Sequence, residues 1–177
     1  RNRSDLISLS VDPHRNQCLV TLNKTATRRF EKFNSLKTVK GSSGGALLSA
    51  GPNHDGPGRP ETDVCVTPRQ IHDLIIEHAE KSTLFHKTGA VHSAGLCFPD
   101  QVTNYFEDIG RHNAMDKLAG HMLLNGINPS GRIATLSCRI SLEIAGKLLT
   151  AGLPLVISYA APTLSAVAEE RKTLNRV

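Results

Sequence analysis

The sequence predicts an α/β fold: a three-layer mixed sheet preceded by a small N-terminal β-hairpin region. Three features carry that expectation. Two β-like runs stand close together near the start of the chain. A Gly- and Pro-rich stretch follows them. From about residue 90 onward, strand-like and helix-like segments alternate, with glycines where helices would stop. Such alternation implies crossover helices and partly parallel pairing. The expected organisation is an N-terminal β region over residues 1–40, a loop over 41–64 and an α/β domain over 65–177.

Leu6–Val11 and Cys18–Leu22 are the two β-like runs, joined as a hairpin by Asp12-Pro13-His14-Arg15-Asn16-Gln17. Residues 41–60 hold six Gly and three Pro in twenty positions. So few of these side chains can pack that ordering entropy is not recovered, and a mobile loop or linker is expected. Thr67 suits an N-cap and Pro68 the first helical position. Ile71, Leu74, Ile75 and His78 then share one face of a helix running to about Lys81. Ala90–Phe98 and Val102–Phe106 read as strands about a Pro99-Asp100 turn. Met115, Leu118, Ala119 and Met122 line a second helix, with Gly126 as its stop. Ile133–Leu136 is a short strand. Leu142, Ile144, Ala145, Leu148 and Leu149 form a third helix, stopped by Gly152. Leu155–Ile157 is a buried strand, and Pro162-Thr163 opens a last helix.

The 177 residues carry 21 Lys and Arg against 16 Asp and Glu, a net charge of +5, and eight His. That balance favours anionic partners such as nucleotides or phosphorylated cofactors. Nucleic acid is not expected, because aromatics make up only 4% and there is no Trp, so bases lack stacking platforms. No apolar run approaches the ~20 residues of a membrane-spanning helix. The opening Arg1-Asn2-Arg3-Ser4-Asp5 leads into alternation rather than an apolar secretory core, so a cytoplasmic protein is expected. Cys18, Cys65, Cys97 and Cys138 lie far apart, which excludes a CxxC zinc knuckle or redox pair. Cys18 and Cys97 stand inside apolar runs and are expected to be buried.

Polar residues with chemical potential collect in three segments: Glu107–Asn113, Ser137–Ser141 and Ser158–Thr163. Each follows a predicted strand and precedes a predicted helix. In open α/β sheets, ligands bind outside the carboxyl ends of strands, where helix N-termini present free N–H groups to anions. Arg111 and Arg139 would add bidentate recognition of phosphate or carboxylate. An anion pocket on one sheet edge is therefore expected. The competing reading is that Glu107 and Asp108 merely cap the next helix, with Arg111 paired to one of them. Residues 85–92 add His86 and His92, whose spacing fits no helical metal pair. Lys40-Gly41-Ser42-Ser43-Gly44-Gly45 lacks the Gly-Lys-Ser/Thr ending of a phosphate loop.

Several ordered blocks resemble the formate dehydrogenase accessory sulfurtransferase family (FdhD). They are Phe85-His86-Lys87-Thr88-Gly89-Ala90-Val91-His92-Ser93-Ala94, Glu107-Asp108-Ile109-Gly110-Arg111-His112-Asn113-Ala114-Met115-Asp116-Lys117, and Ser137-Cys138-Arg139-Ile140-Ser141-Leu142-Glu143-Ile144. Ala151-Gly152-Leu153-Pro154 and Ser158–Thr163 continue the match, which covers residues 65–168 strongly. The resemblance implies a main domain similar to the cytidine deaminase fold, in a homodimer. It implies sulfur transfer from a cysteine desulfurase to the molybdenum or tungsten bis-molybdopterin guanine dinucleotide cofactor of formate dehydrogenase, with GDP as a mimic of that ligand. By the same resemblance His86, Lys87, Thr88, Arg111, His112, Asn113, Lys117, Arg139 and Ser141 are expected to bind cofactor. No structural metal is implied.

The family carries its persulfide on a CxxC loop after a run of Ser. Here that place reads Ser42-Ser43-Gly44-Gly45-Ala46 and holds no cysteine. Two readings follow: a sulfurtransferase-type maturation factor, or a chaperone that binds the cofactor without transferring sulfur. A zinc hydrolase acting on a base would need a His/Cys-x-Glu and Pro-Cys-x-x-Cys signature, which the chain lacks.

Overall fold

The structure is a computed structural model, and it describes residues 3–34, 60 and 62–168. The predicted Gly/Pro loop lies almost wholly outside the described residues, as do Ser42, Ser43, Gly44 and Gly45. The chain divides into two compact units. One comprises Arg1–Asn53 with Leu123–Ile127, the other His54–Met122 with Asn128–Val177.

In the first unit, β1 (Leu6–Asp12) and β2 (Gln17–Leu22) form the expected antiparallel hairpin. Asp12 Oδ1 accepts from His14 N and Arg15 N, and Asn16 takes φ 50°, a conformation its short side chain tolerates. Leu9 pairs with Val20 and Val11 with Cys18, so these four share a face. All four are exposed, Cys18 included, which corrects the expectation that Cys18 is buried. A two-stranded sheet has no second layer of its own to cover that face. The helix α1 (Lys24–Asn34) was not anticipated from the pattern. Asn23 starts it, accepting from Ala26 N at 2.8 Å, and Arg29 pairs with Asp5 at 2.6 Å.

The second unit holds α2 (Pro68–Glu80), α3 (Thr83–Thr88), β3 (His92–Phe98), β4 (Gln101–Asp108), α4 (Arg111–Leu124), β5 (Ile133–Leu136), α5 (Leu142–Ala151) and β6 (Leu155–Ser158). Thr67 caps α2 as predicted. Its hydroxyl accepts from Gln70 N, and the Gln70 side chain reaches back to Thr67 N, closing a capping box. Gly152 ends α5 in the left-handed region, φ 76°, and Gly126 follows α4 at φ 62°. Thr163 accepts from Ala166 N at 3.3 Å at the start of the last helical turn.

The strand order is β4-β3-β5-β6. β3 runs antiparallel to both β4 and β5, and β5 pairs parallel with β6. Hence β4, β5 and β6 all point the same way. Both crossovers, β4–α4–β5 and β5–α5–β6, step in one direction along the sheet. Such connections are right-handed, which puts α4 and α5 on one face. They are neighbours there, tied by Lys147 Nζ on Asp116. α2 covers the other face: Leu74, Ile71 and Ile75 pack with Cys97, Val102, Ile133 and Ile157. All four residues of β5 are buried, as a strand covered on both sides must be.

Candidate functional site

Because β4, β5 and β6 point the same way, their carboxyl ends share an edge with the start of β3, where His92 pairs with Asp108. The three polar segments therefore meet. They build a cleft of about 320 Å³ lined by His92, Arg111, Cys138, Arg139, Ser141 and Thr163. Arg111 opens α4 and Ser141 caps α5, accepting from Ile144 N at 3.4 Å. Both helices thus direct their positive ends at this edge.

The loop after β5 is held from several sides. Ser93 N donates to Ser137 Oγ at 2.8 Å, and Ser137 N donates to Ser93 O at 3.1 Å. Ser158 Oγ donates to the Cys138 carbonyl at 2.7 Å, and Thr163 N donates to Ile140 O at 2.9 Å. Cys138 and Arg139 are thereby fixed at the wall. The Cys138 thiol is buried, and that burial raises its pKa, with Arg111 opposing the shift. It is held protonated and is no ready nucleophile. Among the described residues neither Arg111 nor Arg139 has a carboxylate partner. Both arginines line the cleft, where a guanidinium can offer paired donors to an anion.

The expected cofactor residues separate into groups. Arg111, Arg139 and Ser141 line the cleft. Asn113 and Lys117 instead serve the β4–α4 turn. Asp108 accepts from Gly110 N at 2.9 Å and Asn113 Nδ2 at 3.1 Å, and pairs with Lys117 Nζ at 2.8 Å. The Lys117 bond, then the Gly110 N–H, pull the Asp108 carboxyl down to about 2. Asp108 thus closes the turn before α4 and takes no backbone N–H from within that helix, which corrects the simpler reading that it caps it. Glu107 does not cap it either. Its carboxylate turns back to α3, accepting from Leu84 N and Phe85 N, each at 3.0 Å.

His86, Lys87 and Thr88 lie exposed on α3, a helix the pattern did not predict. His86 Nε2 sits 3.0 Å from Ala79 O, and Thr88 Oγ1 donates to Leu84 O at 2.8 Å. His112 is 6% exposed in the first turn of α4. Its Nε2 lies 3.2 Å from Glu143 Oε2, yet the direction is wrong for a hydrogen bond, and neither ring nitrogen has such a partner. Burial, then Arg111 and Lys147, lower its pKa.

His92, Cys138 and Thr163 also line the cleft. Cys138 and Thr163 stand inside two of the segments expected to form the pocket, whereas His92 lies outside all three, and only the pairing of His92 with Asp108 brings it to this edge. Among the described residues no group of three His, Cys, Asp or Glu is placed to hold a metal ion. No helix among them is long and apolar enough to cross a membrane.

Comparison with known proteins places this arrangement. A family model described as "FdhD/NarQ family" matches residues 1–173. A protein of Halalkalibacterium halodurans named "Sulfur carrier protein FdhD" is 34% identical over 164 residues, 91% of this chain and 60% of that protein. One of the same name from Corynebacterium efficiens is 43% identical over 115 residues, 64% of this chain and 42% of its own length. The chain thus spans less than two thirds of either relative. A solved structure of a candidate formate dehydrogenase accessory protein from Desulfotalea psychrophila superposes with a TM-score of 0.70. It shares 22% identity, over 97% of this chain and 63% of that one. At that identity the likeness speaks for the fold.

Proposed function

We propose, from the premise that this chain belongs to the FdhD/NarQ family, that it serves formate dehydrogenase maturation as a sulfur carrier. In this reading the cleft holds the nucleotide end of a bis-molybdopterin guanine dinucleotide as cargo. The observation that carries the binding half is the pair Arg111 and Arg139, which line one cleft at the carboxyl ends of parallel-running strands and have no carboxylate partner among the described residues. The cleft volume of about 320 Å³ suits one nucleoside diphosphate rather than the whole ligand. A sheet resembling that of cytidine deaminases would present a nucleotide at the same edge. The names of the relatives support the sulfur half.

Sulfur transfer needs an accessible thiolate. It attacks the outer sulfur of a persulfide on the cysteine desulfurase. One S–S bond forms, another breaks, and the donor cysteine leaves as thiolate. Cys97 and Cys138 are unsuited, since burial raises both, Cys97 to about 11. Cys18 and Cys65 are exposed. The 177 residues hold no CxxC pair, and the second reading, a chaperone that binds the cofactor and leaves sulfur to another protein, is the one that needs none.

Intact mass after incubation with a cysteine desulfurase and cysteine separates the two. An adduct of about 32 Da, one sulfur on a thiol, supports the carrier. Its absence, with GDP still bound, supports the chaperone. Absence of GDP binding removes the nucleotide site from both.

A further inference from the structure

We propose that an anion entering the cleft drives protonation of His112, which then clasps Glu143 and fixes together the two helix starts that bear Arg111 and Ser141. This rests on the cleft being a phosphate site and adds its regulation. The geometry is specific. His112 is 6% exposed, both its ring nitrogens lack a hydrogen bond, and Nε2 stands 3.2 Å from Glu143 Oε2. His112 directly follows Arg111 in the first turn of α4, and Glu143 lies two residues after Ser141 in the first turn of α5. The pair therefore bridges the two elements whose neighbouring residues form the cleft wall.

A neutral ring gains nothing from the Glu143 carboxylate as it is now turned, while an imidazolium would gain an ion pair with that carboxylate, 3.2 Å away, and would draw the two groups into line. Opposing charges decide which form holds. From α4, Arg111 disfavours the cation and Asp116 favours it; from α5, Lys147 disfavours it and Glu143 favours it. The positive end of α4 also disfavours it. With the cleft empty of anion, burial, Arg111 and Lys147 outweigh the two carboxylates and favour the neutral ring. A phosphate on Arg111 cancels the stronger of those two positive charges and offsets the helix end. The proton taken up and the anion bound then stabilise each other, and linkage requires the effect to be reciprocal.

The test is GDP binding to the full chain by calorimetry between about pH 6 and 8, where imidazoles titrate, in two buffers of different ionisation heat. The difference between wild type and His112→Gln removes the titration of the GDP phosphate itself. We expect wild type to take up more protons than His112→Gln. Its affinity should rise by about five-fold more than the variant's as pH falls, the low end of ordinary coupling. Glu143→Gln should flatten the same profile. The His112 ring resonance should titrate at higher pH with GDP bound than without, a readout that needs no variant. Equal proton counts in wild type and His112→Gln overturn the clasp. So does a pH dependence that survives His112→Gln and vanishes in His92→Gln, since His92 lines the cleft directly. Binding that is present but independent of pH rejects the clasp alone, whereas no binding at any pH rejects the phosphate site with it.

Discussion

His78 Nε2 lies 2.7 Å from Ser93 Oγ, across the boundary between α2 and the sheet. The other ring nitrogen, Nδ1, lies 2.7 Å from Thr135 Oγ1. His78 is completely buried, with Tyr105 and Tyr159 set edge-on at 4.8 and 5.4 Å. A neutral imidazole supplies one donor and one acceptor, and two hydroxyls satisfy both. Ser93 in turn holds Ser137 through two backbone bonds, so this core contact reaches the loop that carries Cys138 and Arg139.

Acid should destabilise the protein through His78. Burial holds its folded pKa down at about 4, below the unfolded 6.5. The unfolded chain therefore takes the proton first as pH falls, so stability is full above about 6.5 and is lost down to about 4. Urea unfolding should show a loss of about 2 kcal/mol between about pH 6.5 and 5, at 1.36 kcal/mol per pH unit. His78→Gln should remove most of this slope. The same slope in both proteins would reject the assignment.

Gly95→Ala should destabilise by about 1–3 kcal/mol through overpacking. A Cβ at residue 95 would press into Thr135 Oγ1 and sit 3.2 Å from His78 Nδ1 and 3.3 Å from Val102 Cγ1. Gly120→Ala on α4 meets nothing within 4 Å. It should raise stability by about 0.4–1 kcal/mol, since it only restricts the unfolded chain. Melting temperatures of the two variants should move in opposite directions, and a shared direction would contradict the packing described.

Glu107→Ala should loosen α3. The helix keeps its own bonds, but the N–H groups of Leu84 and Phe85 lose their carboxylate. A lost cap costs about 0.5–2 kcal/mol. Hydrogen exchange at Leu84 and Phe85 should quicken by about two- to thirty-fold, at roughly 1.4 kcal/mol per factor of ten, while β5 stays protected. Unchanged exchange would mean that α3 does not depend on Glu107.

Arg111→Ala and Arg139→Ala should each weaken GDP binding by about 1.5–3 kcal/mol, the range for a hydrogen bond to a charged group. Calorimetry at low and moderate salt should find the loss in both. Unchanged affinity in both variants would place the anion elsewhere.

The sequence by itself determined the elements whose signals are local. Thr67-Pro68 starts α2 because a hydroxyl acceptor and a ring-fixed φ favour that start wherever they occur. Gly126 and Gly152 stop their helices because the left-handed conformation there is strained for other residues. The same local alternation of strand and helix placed three polar segments at strand ends, which was enough to bring Arg111, Arg139 and Ser141 to one cleft. Only the tertiary structure decided the rest. β3 sits antiparallel between β4 and β5, and strand order is set by which faces bury together. α3 is too short to show a period, and it is capped by Glu107 from a strand more than twenty residues away. Glu107 and Asp108 are adjacent acids with different partners, because alternate residues of a strand face opposite ways. Cys18 looks like a core residue in its run, but a two-stranded hairpin supplies no second layer of its own, and among the described residues Cys18 is exposed. His112 reads as a ligand in its motif, yet packing buries it against Glu143, a contact between two helices that no spacing along the chain encodes.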